Sequence, residues 1–277
     1  MTVVTAAPQG ETRKAAAAAL RLGVVPYLNV APIIHGLRGD SRFELVPEVP
    51  SLLSESLHRG AVDLGMIPTI EYAGHDYAIV PGIAIASRGP VRSVRLFHRG
   101  ALESIRRVAL DTSSRTSVAL ARILLRERLG ADPEYVAMAP DVDRMLEAAD
   151  AALVIGDPAL DHEHDAPTLD LGAEWSALTG LPFVFAFWAG RPGAVSRDQV
   201  AVLQASLRAG LAAISDIAAA YPRSSPGRER ESEEYLRSNI VYDLGDAERA
   251  GLREFYRRAA VLGLIPSVPE LRFHGDS

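Results

Sequence analysis

Cysteine is absent from the 277 residues. Disulfides, thiolate nucleophiles, iron–sulfur clusters and cysteine-bound zinc are excluded together. The absence also fits a reducing compartment. Lysine is almost absent: Lys14 stands alone, near the N-terminus. Schiff-base catalysis and a phosphate-loop lysine are therefore not expected. No hydrophobic run approaches the ~20 residues of a membrane-spanning helix, so no membrane partner is expected. There is no basic stripe either, and the formal net charge is −6. Nucleic acid is thus not an expected partner. An anionic ligand needs a local positive field inside this negative protein.

What is present is enough hydrophobic sequence, 48% of the chain, for two lobes with a core each. Residues 1–20 are Ala-rich, with Glu11, Arg13 and Lys14 poorly placed for a secretory signal. They read as a disordered tail, and the expected location is cytoplasmic. From residue 21 onward, short β-rich runs alternate with helical patterns. The runs are 22–26, 43–49, 62–67, 78–86 and 94–98, then 108–110, 135–137 and 151–155. Such alternation predicts α/β units with mixed or parallel sheets. Ser51, with Gly60 as the stop, and Asp141 are the expected helix caps nearby.

One internal echo points to duplication. Residues 60–67 and 148–155 share an order: helix end, small residue, aspartate, apolar strand. The aspartates are Asp63 and Asp150. Two similar lobes that present loops at their strand ends make a ligand cleft. The C-terminal third is helical: Val200, Leu203, Leu207, Leu211, Ile214 and Ile217 form one apolar stripe that Pro222 ends. The expected division is 21–96 plus 190–277 for lobe I and 97–189 for lobe II, with 94–98 and 183–189 as hinges.

Candidate chemistry sits at strand ends. Tyr27 and Asn29 close a strand and open a helix. Asn29 carries a donor and an acceptor, for a ligand or for capping. Ser87, before the turn Gly89-Pro90, offers a hydroxyl to a cleft or belongs to a plain turn. The run Asp111-Thr112-Ser113-Ser114-Arg115-Thr116-Ser117 is the richest. Hydroxyls at a helix start gather unsatisfied N–H groups and the positive helix end at one spot, which suits a carboxylate or phosphate. Arg115 can add a bidentate contact. Asp157 before Pro158 either caps a helix or faces the cleft. Asp161-His162-Glu163-His164-Asp165 has metal-type side chains, but consecutive loop residues seldom converge on one ion, and no metal is expected. Phe183, Phe185 and Phe187 alternate onto one core face, and Pro182 and Phe183 remain candidates for the cleft lining.

These segments, in this order, resemble a known family. Val25-Pro26-Tyr27-Leu28-Asn29 with Pro32, Ser87 with Gly89-Pro90-Val91, and Ser114-Arg115-Thr116-Ser117-Val118-Ala119-Leu120 are similar to chorismate dehydratases of the futalosine route to menaquinone. So are Ile155-Gly156-Asp157-Pro158-Ala159-Leu160, Asp170-Leu171-Gly172-Ala173-Glu174-Trp175 and Thr179-Gly180-Leu181-Pro182-Phe183-Val184-Phe185. The resemblance spans roughly residues 21–265. It implies an α/β, two-lobed periplasmic-binding-protein type II fold with a ligand cleft between the lobes. It also implies a carbon–oxygen lyase that dehydrates the dicarboxylate chorismate without a cofactor. Asn29 and Ser87 are then the catalytic candidates. Tyr27, Thr112, Ser113, Ser114, Arg115, Thr116, Asp157, Pro182 and Phe183 are the substrate-binding ones. Two alternatives stay open: a non-catalytic binding protein for a small carboxylate, and the sister enzyme that acts on cyclic dehypoxanthine futalosine.

Overall fold

A computed structural model describes residues 18–275 except 112, 114, 131, 162, 163 and 222–226. The tail therefore lies outside the described residues up to position 17, and strand β1 already begins at Leu20. Its start pairs with Phe43, which gives Leu20 a ladder to join rather than a tail.

The first sheet is built from β1 (Leu20–Val24), β2 (Phe43–Pro47), β3 (Leu64–Pro68) and β4 (Ala78–Ser87). The second holds β5 (Val94–His98), β6 (Arg107–Asp111), β7 (Glu134–Met138), β8 (Ala151–Ile155) and β9 (Thr168–Asp170). Strand β10 (Phe183–Gly190) then returns to the first sheet. The orders are β2-β1-β3-β10-β4 and β7-β6-β8-β5-β9. In each, two parallel pairs are followed by antiparallel ones. The two sheets share one pattern, and each contains one strand that arrives from the other lobe.

The echoed aspartates occupy equivalent corners of this pattern. Asp63 accepts from Arg21 N at 2.9 Å, where β1 begins. Asp150 accepts from Arg106 N and Arg107 N at 2.8 and 2.9 Å, where β6 begins. Each turn before a central strand thus anchors the start of its neighbour.

The chain leaves the first sheet through residues 88–93 and returns between Thr179 and Phe183. An expected boundary at 96/97 would divide β5, and 183–189 is a full strand of the first sheet. The expected hinges are therefore ladder strands, and the crossings lie just before β5 and β10. Asp170 holds one crossing: its carboxylate accepts from Val91 N at 3.0 Å, Arg92 N at 2.6 Å and Ala173 N at 3.0 Å. Arg92 takes a left-handed φ of 62° there.

Helices α1 (Ala31–Ile34), α2 (Pro50–Arg59), α3 (Thr116–Leu129), α4 (Val142–Ala148), α5 (Gly156–Asp161) and α6 (Leu171–Thr179) connect the strands. Asp141 caps α4 as expected, accepting from Arg144 N. Helix α2 instead opens on Pro50 with no side-chain cap, so Ser51 lies inside it. The expected C-terminal stripe is broken into α7 (Arg197–Ala212) and α8 (Ile214–Ala220), which meet at 76°. Gly210 lies in the last turn of α7, three residues before the break at Ala213. Helices α9 (Glu229–Glu234) and α10 (Asp246–Val261) follow. The segments around Val241 and Phe273 bridge to β4 and cover its free edge. Among the described residues no single helix is long and apolar enough to cross a membrane.

Candidate functional site

The strand ends of both lobes converge on one cleft of about 590 Å³, counting the space open to solvent. That is the size range of small-molecule sites. Val25, Met66, Ile85 and Phe185 give it apolar walls on the first-lobe side, and Val94 and Ile155 do so on the second. The polar lining groups are Tyr27, Asn29, Ser93, Thr116 and Ser117. Among the described lining residues there is no Asp, Glu, His, Lys or Arg.

Asn29 sits in a short 3-10 turn, Leu28–Val30, that runs into α1 with Pro32 in its first turn. No side chain caps either element, so Asn29 is not the cap. Its Nδ2 donates to Tyr235 Oη at 3.2 Å. Its Oδ1 is buried with no partner among the described residues. Tyr235 Oη in turn donates to Ser93 Oγ at 2.8 Å.

Tyr27 lies against Gly156, whose φ is +67°. A Cβ at that position would stand 2.9 Å from the Tyr27 ring. The close approach needs a residue without a side chain and a left-handed backbone, and glycine supplies both. Burial pushes the Tyr27 phenol above its ordinary pKa; a hydrogen bond with Ser113 opposes this, and the charges of Asp111 and Asp157 add to it. The phenol therefore stays protonated at neutral pH.

Helix α3 opens on the cleft, with Thr116 and Ser117 in its first turn. Both side chains are buried. Thr116 Oγ1 accepts from Ile70 N of the first lobe at 3.0 Å. Ser113 is held by Asp111, which accepts from its N–H at 2.8 Å and its hydroxyl at 2.6 Å. Thr112 and Ser114 lie outside the described residues.

Three other expected contacts are placed elsewhere. Arg115 does not line the cleft: its guanidinium reaches Glu71 at 3.0 Å and Glu55 at 3.6 Å, across to the first lobe. Two carboxylates there compensate the charge it was expected to bring to a ligand. Pro182 and Phe183 belong to the core. The Pro182 carbonyl accepts from Trp175 Nε1 at 3.1 Å, and the Phe183 ring packs on Trp175, Phe185 and Phe255. The pairing of β10 with β4 slips between Val184 and Ala186, and Phe185, in that irregularity, is the phenylalanine of β10 that lines the cleft.

Asp157 neither caps its own helix nor lines the cleft. Its Oδ1 accepts from Leu28 N at 3.2 Å and its Oδ2 accepts from Tyr221 Oη at 2.7 Å. It holds the first N–H of the turn that carries Asn29, on the opposite lobe. The run at 161–165 forms no metal cluster among its described members; His164 lies 3.3 Å from Asp143, while His162 and Glu163 fall outside the described residues.

Ser87 is fully buried behind the cleft. Its Oγ faces Gly172 at the start of α6, where a Cβ would come within 2.6 Å of it. The Gly89–Val91 turn and α6 close over the strand end that was expected to open on a ligand. Ser93, six residues on, lines the cleft instead, and it was not among the expected site residues; Ser117 lines it too, as part of the expected run at 111–117. The signal for Ser93 was its place just before β5, at the start of the second lobe.

A sequence profile for a family described as menaquinone biosynthesis matches residues 20–261. The chain belongs to this family. Within reach of it stands a chorismate dehydratase from Thermus thermophilus, 36% identical over 264 residues, which are 88% of this chain and 95% of that one. Solved structures share the family's fold at lower identity. A protein from Archaeoglobus fulgidus superposes with a TM-score of 0.71 at 20% identity, over 90% of this chain and 99% of that one. The periplasmic aliphatic sulphonate binding protein of Escherichia coli superposes with a TM-score of 0.62 at 16% identity, over 95% and 96%. This member of the family is therefore an α/β protein of two lobes with a periplasmic-binding-protein fold.

Proposed function

We propose that the chain is a chorismate dehydratase, a hydro-lyase that forms 3-[(1-carboxyvinyl)oxy]benzoate in the futalosine route to menaquinone, in the cytoplasm. The observation that carries this reading is the match along 95% of the Thermus thermophilus dehydratase. The cleft agrees with it chemically. Chorismate is a dianion, and the cleft meets it with hydroxyls and the positive end of α3 rather than with arginine. Closed apolar walls strengthen each of those hydrogen bonds.

The reaction removes the C3 proton and the C4 hydroxyl, which leave as one water, and the ring becomes aromatic. Conjugation with the ring carboxylate acidifies C3–H, so donors on that carboxylate stabilise the charge that develops. Thr116, Ser117 and the α3 start take this role. Asn29 Oδ1 and the Ser93 hydroxyl face the reacting side of the ring. No carboxylate or imidazole is present among the described lining residues to accept the proton. The side-chain carboxylate of chorismate accepts it and passes it to the departing hydroxide.

The test is direct. Purified protein is incubated with chorismate, and the mixture is separated by chromatography. The aromatic enol ether is expected with loss of chorismate. Binding without turnover would instead support a non-catalytic solute receptor.

A further inference from the structure

Tyr235 does not line the cleft, yet it touches two groups that do. It is 1% exposed and opens a five-residue π-helix, Tyr235–Asn239. Such segments are rare and recur at functional sites. A phenol has one proton to give and lone pairs to receive. Here the proton goes to Ser93 Oγ at 2.8 Å, and Asn29 Nδ2 donates to the same oxygen at 3.2 Å.

Two consequences follow from that single hydroxyl. The Asn29 amide is fixed with its nitrogen toward Tyr235, so its unpartnered buried Oδ1 faces the other way. The Ser93 oxygen is already accepting, so its own proton points elsewhere. One cleft group becomes an acceptor and the other a donor. We propose that Tyr235 is a positioning residue that sets this polarity, with Asn29 as acceptor and Ser93 as donor toward the substrate. Tyr235 belongs to the C-terminal segment, Asn29 follows β1, and Ser93 lies in the crossing between the lobes. The polarity therefore exists only when these three parts of the fold are assembled.

The kinetic part of the test rests on the dehydratase reading. Tyr235→Phe keeps the ring and removes the hydroxyl. With chorismate, kcat is expected to fall on the order of 10- to 100-fold while KM moves less than about threefold. The loss in Ser93→Ala with Tyr235→Phe is expected to be smaller than the product of the two single losses, because part of the tyrosine's effect runs through the serine. An unchanged kcat, or losses that multiply, overturns the proposal. A second arm needs no substrate. In 15N-labelled wild type, the Asn29 side-chain amide protons, assigned by their loss in Asn29→Asp, should show a nuclear Overhauser effect to the Tyr235 ring and slowed exchange. Tyr235→Phe should abolish the slow exchange. A missing Overhauser effect in the wild type overturns the proposal even where the variant does not fold. Wild type that leaves chorismate intact defeats the dehydratase reading alone, and the amide measurement still decides the role of Tyr235.

Discussion

Gly156 shows how much of this cleft is decided by single positions. Its left-handed φ and the 2.9 Å approach of the Tyr27 ring leave no room for a methyl group. Gly156→Ala therefore costs roughly 1 kcal/mol or more of backbone strain and displaces Tyr27. A lower melting temperature together with a raised KM for chorismate is the expected outcome; a variant with wild-type values for both would show that the contact is slack. The sequence marked Gly156 only as part of a strand-end motif, because a positive φ is not written in the residue itself. Asn29 was legible as a helix-entrance residue with two hydrogen-bonding ends. Its partner was not, because Tyr235 lies 206 positions away. Ser87 and Ser93 look alike in sequence, and only the closure of α6 over Ser87 separates them.

At the scale of elements, the corners at Asp63 and Asp150 carry the duplicated pattern. The hydrogen bond from Arg106 N holds the Asp150 carboxyl below its ordinary pKa; burial opposes this, and Arg107 N and the charge of Arg99 add to the lowering. A lowered folded pKa stabilises the fold above the unfolded value of about 3.9. That contribution is lost as pH falls through the folded value. Asp150→Asn should melt below wild type at pH 7, and the gap should close once the medium is acid enough to protonate the folded carboxyl. A gap that persists unchanged into strong acid would assign the loss to packing instead. The strands were readable because buried β runs are short and apolar, as in 94–98 and 151–155. Strand β9 was missed: Thr168–Asp170 is three residues long, too short for a period to show. The bend between α7 and α8 does not show in the sequence because the apolar spacing continues across Ala213, while α7 packs mainly on α1 and β4 and α8 mainly on α9.

At the scale of the whole molecule, the lobes are tied by side chains that sequence reading had assigned to a ligand. Thr116 reaches Ile70 N, Arg115 reaches Glu71, and Asp157 reaches Leu28 N. Arg258 of α10 pairs with Glu127 of α3 as well. The cleft is thus described in a closed form, with its charges on the outside and neutral groups inside. This arrangement predicts a kcat that is flat from about pH 6 to 9, because Tyr27 is the one ionisable group among the described lining residues and its pKa is raised. A limb near pH 6 to 7 would point to a histidine that reaches the substrate. The two-lobed architecture was legible from alternation and the internal echo, whereas the ties across the cleft were not, since they depend on which loop faces which.

The central claim is that neutral groups in this cleft dehydrate chorismate, and one paired measurement tests it. Wild type and Asn29→Ala are each given chorismate, with product formation and thermal stabilisation recorded together. Wild type should yield 3-[(1-carboxyvinyl)oxy]benzoate, and the variant should be about 100-fold slower or more while chorismate still raises its melting temperature. A variant as fast as wild type, or a wild type that binds chorismate and leaves it intact, would contradict the account.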